Sequence, residues 1–230
     1  MSSFASKGRV GYSTDFTGGV IPTEVTGLSE NSGTAATVVG KVNGVVGLIT
    51  GTSSGNRSQL VTGLNHKADD GTLIYVCTAL NLTDVATRAN FFGWTDTVSI
   101  ENPIELSGVT ITANATDAVG FVYDTAATTD VIYIQGVKAG AATALKAATN
   151  PVTGGTYTPV AGTYDEYRIE VNTDGDASFF INGEYVGTVE DAVTTSVLLT
   201  PTALVETRTT AASTVYVDWF EFESGRDRTP

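Results

Sequence analysis

The stretch from Tyr164 to Val189, YDEYRIEVNTDGDASFFINGEYVGTV, constrains the fold more than any other part of the chain. Tyr167, Ile169 and Val171 alternate with Arg168 and Glu170, a period of two that gives a strand one dry and one wet face. Asn172-Thr173-Asp174-Gly175 interrupts the run with turn residues. Ala177 to Ile181 supplies a second strand, and Asn182-Gly183 joins it to a third at Glu184 to Val189. Both residues of an Asn-Gly pair tolerate the positive φ that a type I′ turn requires, so the pair is a strong local hairpin signal.

A second such pair, Asn43-Gly44, lies between Thr37–Val42 and Val45–Thr50 and predicts another hairpin. Further short apolar runs follow at 72–79, 89–94, 109–112, 118–123, 131–135, 196–199 and 202–206. The run at 214–222, TVYVDWFEF, carries apolar residues on both faces, which suits a central strand or an edge that something covers. About a dozen short strands punctuated by turns, with no domain boundary, predict an all-β protein built as a jelly-roll sandwich of two antiparallel sheets. AGAATALKAA at 139–148 alone has helix propensity throughout; it reads as a short helix stopped by Asn150-Pro151, or as a loop on a sheet edge. Residues 1–32 are rich in Gly, Ser and Thr and read as an arm that orders on a partner or as an edge segment. The sandwich then occupies 33–224, and 225–230 form a polar tail.

Composition narrows the function. Twelve Lys and Arg stand against 25 Asp and Glu, a formal charge of -13, which repels a phosphate backbone and argues against nucleic-acid binding. No apolar run is long enough to span a bilayer as a helix, and the opening MSSFASKGRV has no signal-peptide core, so assembly in a host cytoplasm is expected. Cys77 is the only cysteine and sits in an apolar strand, where an inert buried thiol is expected. His66 is the only histidine, which argues against a soft-metal site; beside Asp69-Asp70-Gly71 it reads as a surface turn residue.

The order Tyr167-Arg168-Ile169-Glu170-Val171, Asp174-Gly175, Phe179-Phe180-Ile181-Asn182-Gly183 and Val186 resembles the paired hairpins of laminin-G and concanavalin A-like sandwiches. Val215 to Glu221 is similar to the final strand of that fold. The resemblance covers about the last quarter of the chain and implies a fold shared by lectins, glycanases and inert modules. A looser pattern spans most of the chain: Gly71-Thr72-Leu73, Phe91 to Asp96, and Ala118 to Asp124. It resembles structural proteins of tailed bacteriophages, either capsid decoration proteins or surface knobs.

That second resemblance implies a virion protein that acts by assembly without catalysis. Its expected partners are itself, as a homotrimer, and a major capsid or other virion protein, with no membrane partner. The alternatives are a carbohydrate-binding, lectin-like module, with a surface glycan as partner, and a glycan-degrading enzyme. Retaining glycanases of this sandwich carry a Glu-x-Asp-x-x-Glu strand that places two glutamates on one face, and this chain lacks it. Sugar binding instead needs exposed rings; Trp94, Tyr157 and Tyr164 are the expected platforms, with Trp219, Phe179 and Phe121 in the core. No cofactor is required, but Asp124, Asp130, Asn172, Asp174 and Asp176 offer hard oxygens for calcium. The plainer role for these five is to cap tight turns.

Overall fold

A computed structural model describes residues 9–41, 44–81 and 87–225. The chain runs through β1 (Arg9–Thr14), β2 (Thr26–Ser29), β3 (Thr34–Thr37), β4 (Val46–Ile49), β5 (Arg57–Val61), β6 (Leu73–Asn81), β7 (Arg88–Thr95), β8 (Ile104–Ser107) and β9 (Thr110–Ala113). It continues through β10 (Ala118–Asp124), β11 (Tyr133–Lys138), β12 (Ala141–Ala142), β13 (Tyr164–Val171), β14 (Ala177–Ile181), β15 (Glu184–Val189), β16 (Thr200–Thr207) and β17 (Thr214–Gly225). Eight strands form one antiparallel sheet in the order β15-β14-β13-β6-β17-β4-β3, with β1 also on β17. Seven form the second, β12-β11-β10-β7-β16-β5-β2. The expected two-sheet sandwich is therefore present.

The organising stretch folds as its pattern dictates. Along β13, Asp165, Tyr167, Ile169 and Val171 are buried while Glu166, Arg168 and Glu170 face out. Asn182 and Gly183 take φ of 54° and 81° and close the β14–β15 hairpin. The other Asn-Gly hairpin has a wider connection: β3 pairs β4 from Thr37↔Val46, and Val38 N–H bonds Val45 O. Gly44 has φ 66°, whereas Asn43 lies outside the described residues.

Between the sheets lies an aromatic core. Phe92 stacks on Tyr167 at 4.9 Å, and Phe121 meets both Tyr167 and Phe179 at 5.1 Å. Full burial of such a ring stabilises the fold by about 1.5–3 kcal/mol. Tyr75 sits edge-on to Phe220 and donates to Thr202 O at 2.9 Å, linking the two sheets. Cys77 is buried in this core, and burial pushes its thiol up to about 12, as the inert role requires.

The smaller sheet is covered on both sides. β7, β10 and β16 are buried along their whole length. Their outer face carries a second apolar cluster, in which Phe91, Val122 and Leu204 pack beneath Ile104 and Leu106 of the β8–β9 hairpin. The hairpin is pinned by charge. Asp124 is fully buried, pairs with both Arg208 Nη2 and Nε, and accepts the Leu106 N–H at 3.0 Å. Arg208 also holds Glu206, which Arg57 and Asn102 contact from the other side.

Three segments are decided by the structure. Of the two readings of residues 139–148, the sheet-edge loop holds and the helix does not: Ala139 and Gly140 turn at φ 49° and 79°, and the segment runs on as β12 and loop against the smaller sheet. Ala propensity loses here to edge pairing with β11. His66 is buried, not a surface turn residue. It bridges Leu199, packs on Trp94 and Phe222 at 5.4 and 5.0 Å, and lies 2.7 Å from Ser224 Oγ. Of the N-terminal segment, β1 joins the larger sheet and β2 the smaller, so residues 9–32 are edge strands and their connections.

Candidate functional site

With the smaller sheet covered, the outer face of the larger one is the broad face left open among the described residues. Its centre is set by an irregularity in β17. Val215 and Val217 point inward, as do Phe220 and Phe222, so one residue too many lies between the two pairs. The pairing to β6 shifts there, from Val217↔Ala79 to Trp219↔Thr78. This bulge turns Asp218 and Trp219 outward in succession.

The same place is a gap in the sheet edge. β4 pairs β17 over 214–217 and β1 pairs it over 220–225, end to end. The chain leaving β1 fills the gap with Phe16, buried to 1% exposure at φ 55°, a conformation rare for a bulky residue. Local bonds hold this bend: Thr14 Oγ1 accepts Phe16 N–H at 3.0 Å, and Asp15 Oδ1 accepts the Thr17 N–H and O–H at 3.2 and 2.9 Å. Gly44 passes so close that a Cβ there would lie 2.1 Å from Phe16 carbonyl carbon, which only glycine permits.

A cavity of about 510 Å³ results, with Trp219 and Glu221 on one side and Ser13, Asp15, Thr17 and Pro22 around it. Trp219 Nε1 donates to Glu221 Oε2 at 2.9 Å. Hydrogen bonds from Thr17 hold the Asp15 carboxyl below the usual range. Partial burial, and then the Asp15 charge, push Asp218 up. Burial, with Asp218 and Tyr216 nearby, does the same to the Tyr164 phenol. An aromatic ring, hydroxyls and carboxylates in one groove suit stacking against, and hydrogen bonding to, a hydroxyl-rich ligand.

The expected site residues are not brought together. Trp94 is corrected outright: it is 0% exposed, edge-on to Tyr75 and Phe222 in the core, and offers no platform. Tyr157 is half-buried, and its O–H donates to buried Asp165 at 2.7 Å, which ties its loop to β13. Tyr164 is 41% exposed on the open face. Trp219, read from the sequence as core, is instead the ring at the groove. The odd spacing from Val217 to Phe220 was the signal for it.

Several of the calcium candidates already have other partners. Asp124 serves Arg208 and the backbone of Leu106 and Ala126. Asn172 Oδ1 accepts the N–H groups of Asp174 and Asp176, both at 2.9 Å, while Asp176 Oδ1 accepts that of Asp191. Asp130 lies exposed in a loop. Among the described residues no three His, Cys, Asp or Glu side chains are grouped to hold a metal ion.

No protein-family model matches the sequence, and no curated protein matches it. Solved structures do match in shape. A protein of unknown function, SO2946 from Shewanella oneidensis MR-1, aligns with TM-score 0.63 at 15% identity, over 100% of this chain and 92% of that one. Peanut lectin aligns with TM-score 0.58 at 10% identity, over 96% and 99%. The Bacillus licheniformis β-glucanase aligns with TM-score 0.59 at 11% identity, over 94% and 98%. The chain therefore has the concanavalin A-like sandwich fold that lectins and glucanases share.

Proposed function

We propose that this chain is a carbohydrate-binding module whose site is the Trp219 groove. One observation carries the reading: the bulge at Asp218 presents a tryptophan on the open face, in a cavity with hydroxyl and carboxylate neighbours. Sugars stack their C–H faces on such rings and bond the polar rim. Similarity in fold to a lectin and to the carbohydrate recognition domain of Emp47p supports the class. Binding without cleavage is the reading taken here because three carboxylates of this face, though not Asp218, are held by partners. Glu170 pairs with Arg168, Glu223 with Arg9, and Glu221 with Trp219. A glycan array probed with the wild-type chain and Trp219→Ala tests the reading. Signals that disappear in the variant support it, whereas a blank array, or signals that survive, count against it.

The virion-assembly reading competes on a different observation. β3 and β15 end the larger sheet and β2 and β12 the smaller; Thr149 and Lys146 already bond β15, and the edges that remain free are ones a closed homotrimer or a capsid protein could cover. Light scattering on the eluting protein decides this: a trimer favours assembly, and a strict monomer leaves it without support.

A further inference from the structure

Resting on the carbohydrate reading, we infer that the groove takes an uncharged glycan chain of several sugar units, running from Trp219 past Thr17 to a second cavity beside Lys41.

The second cavity, about 310 Å³, is lined by Thr17, Gly19, Thr37, Val38, Val39 and Lys41 among others. Thr17 walls both cavities. Both open on the same face of the sandwich. Gly47 pairs with Tyr216, and a Cβ on it would meet Val38 Cγ2 at 3.2 Å and Tyr216 Cε1 at 3.4 Å. Val38 thus lies over the outer face of the larger sheet, three residues along β17 from Trp219. Lys41 Nζ stands 5.6 Å from the Tyr216 ring centre, also on that face. Thr37 Oγ1 donates to Gly19 O at 2.8 Å and fixes the two lining loops against each other.

Size and charge choose the ligand. Cavities that hold one small molecule measure about 300–1,000 Å³. Each of these two therefore suits a short unit, and a ligand that fills both is a chain. Val39 is 99% exposed and Val20 64% exposed, which places apolar surface at the rims for sugar C–H faces. Asp15 and Glu221 line the Trp219 end, and Asp218 beside them feels the Asp15 charge, against Lys41 at the other end, within a chain of formal charge -13. A uronate, sulfate or sialic acid at the Trp219 end meets like charge.

The test is calorimetric titration of the full chain with neutral gluco-, manno- and xylo-oligosaccharides, from monosaccharide to hexasaccharide, and with oligogalacturonates as the anionic series. Binding to at least one neutral series should tighten about tenfold or more from disaccharide to pentasaccharide. The double variant Val39→Ser, Lys41→Ala strips the apolar rim and the ammonium group from the second cavity. It should remove the gain with length and leave disaccharide affinity unchanged. Oligogalacturonates should bind about tenfold weaker or not at all, with the gap narrowing as salt screens the carboxylates. Affinity that does not depend on length, a gain that survives Val39→Ser with Lys41→Ala, or equally tight anionic binding overturns the inference. If disaccharide binding is lost in Trp219→Ala but shows no gain with length, the chain reading falls and the groove stands. If Trp219→Ala binds as well as wild type, or nothing binds, the groove falls too.

Discussion

Trp219 Nε1 donates to Glu221 Oε2 at 2.9 Å, across two side chains on one face of one strand. The bond fixes the indole plane and holds a carboxylate beside it. The phase slip in β17 makes this arrangement possible. If the alternation of Val215 and Val217 ran on through Asp218 without the bulge, Trp219 would point into the core.

The two tryptophans should therefore respond in opposite ways. Trp219→Phe keeps a ring but loses the donor, and should weaken glycan binding by up to about tenfold with little change in stability. Trp94→Ala empties a fully buried site and should cost about 3–5 kcal/mol. Chemical denaturation and calorimetry on the two variants separate these effects.

Stability should fall in mild acid because of His66. Burial lowers its pKa from 6.5 to about 4, so between those values the unfolded chain binds the proton and the folded chain does not. The contribution is complete above pH 6.5 and is lost as pH falls toward 4, with a magnitude of about 3 kcal/mol. His66→Gln should flatten the urea-denaturation midpoint across this window. An unchanged slope would assign the acid sensitivity to other groups.

The Cys77 thiol should resist a disulfide reagent in the native protein at mildly alkaline pH, because burial raises its pKa to about 12. Reaction should follow unfolding and become fast in denaturant. Rapid native labelling would contradict the burial.

Asp124→Ala leaves Arg208 with fewer partners beneath the β8–β9 hairpin and should destabilise the fold by about 3 kcal/mol. The change lies on the other sheet, so glycan affinity of the folded fraction should match wild type.

The sequence reveals the frame of this molecule and hides the polarity of its faces. Alternation in β13 and the turn at Asn182-Gly183 give strand, face and register directly. In β7 every residue is buried, because the β8–β9 hairpin covers the second face, so alternation there cannot tell Trp94 from an exposed ring. The groove depends on β1, β4 and β17 meeting end to end, a long-range arrangement that no local pattern encodes. Asp124 looks like a loop ligand until Arg208, 84 residues away, is brought against it.

The chain has two tryptophans, so Trp94→Phe leaves Trp219 as the sole indole fluorophore. Titrating this variant with a neutral oligosaccharide, and following both emission and quenching by acrylamide, tests the central claim. A saturable emission change, with reduced quenching and a midpoint equal to the calorimetric Kd, is the predicted result. Calorimetric binding that leaves Trp219 emission and quenching unaltered would place the ligand elsewhere and contradict the account.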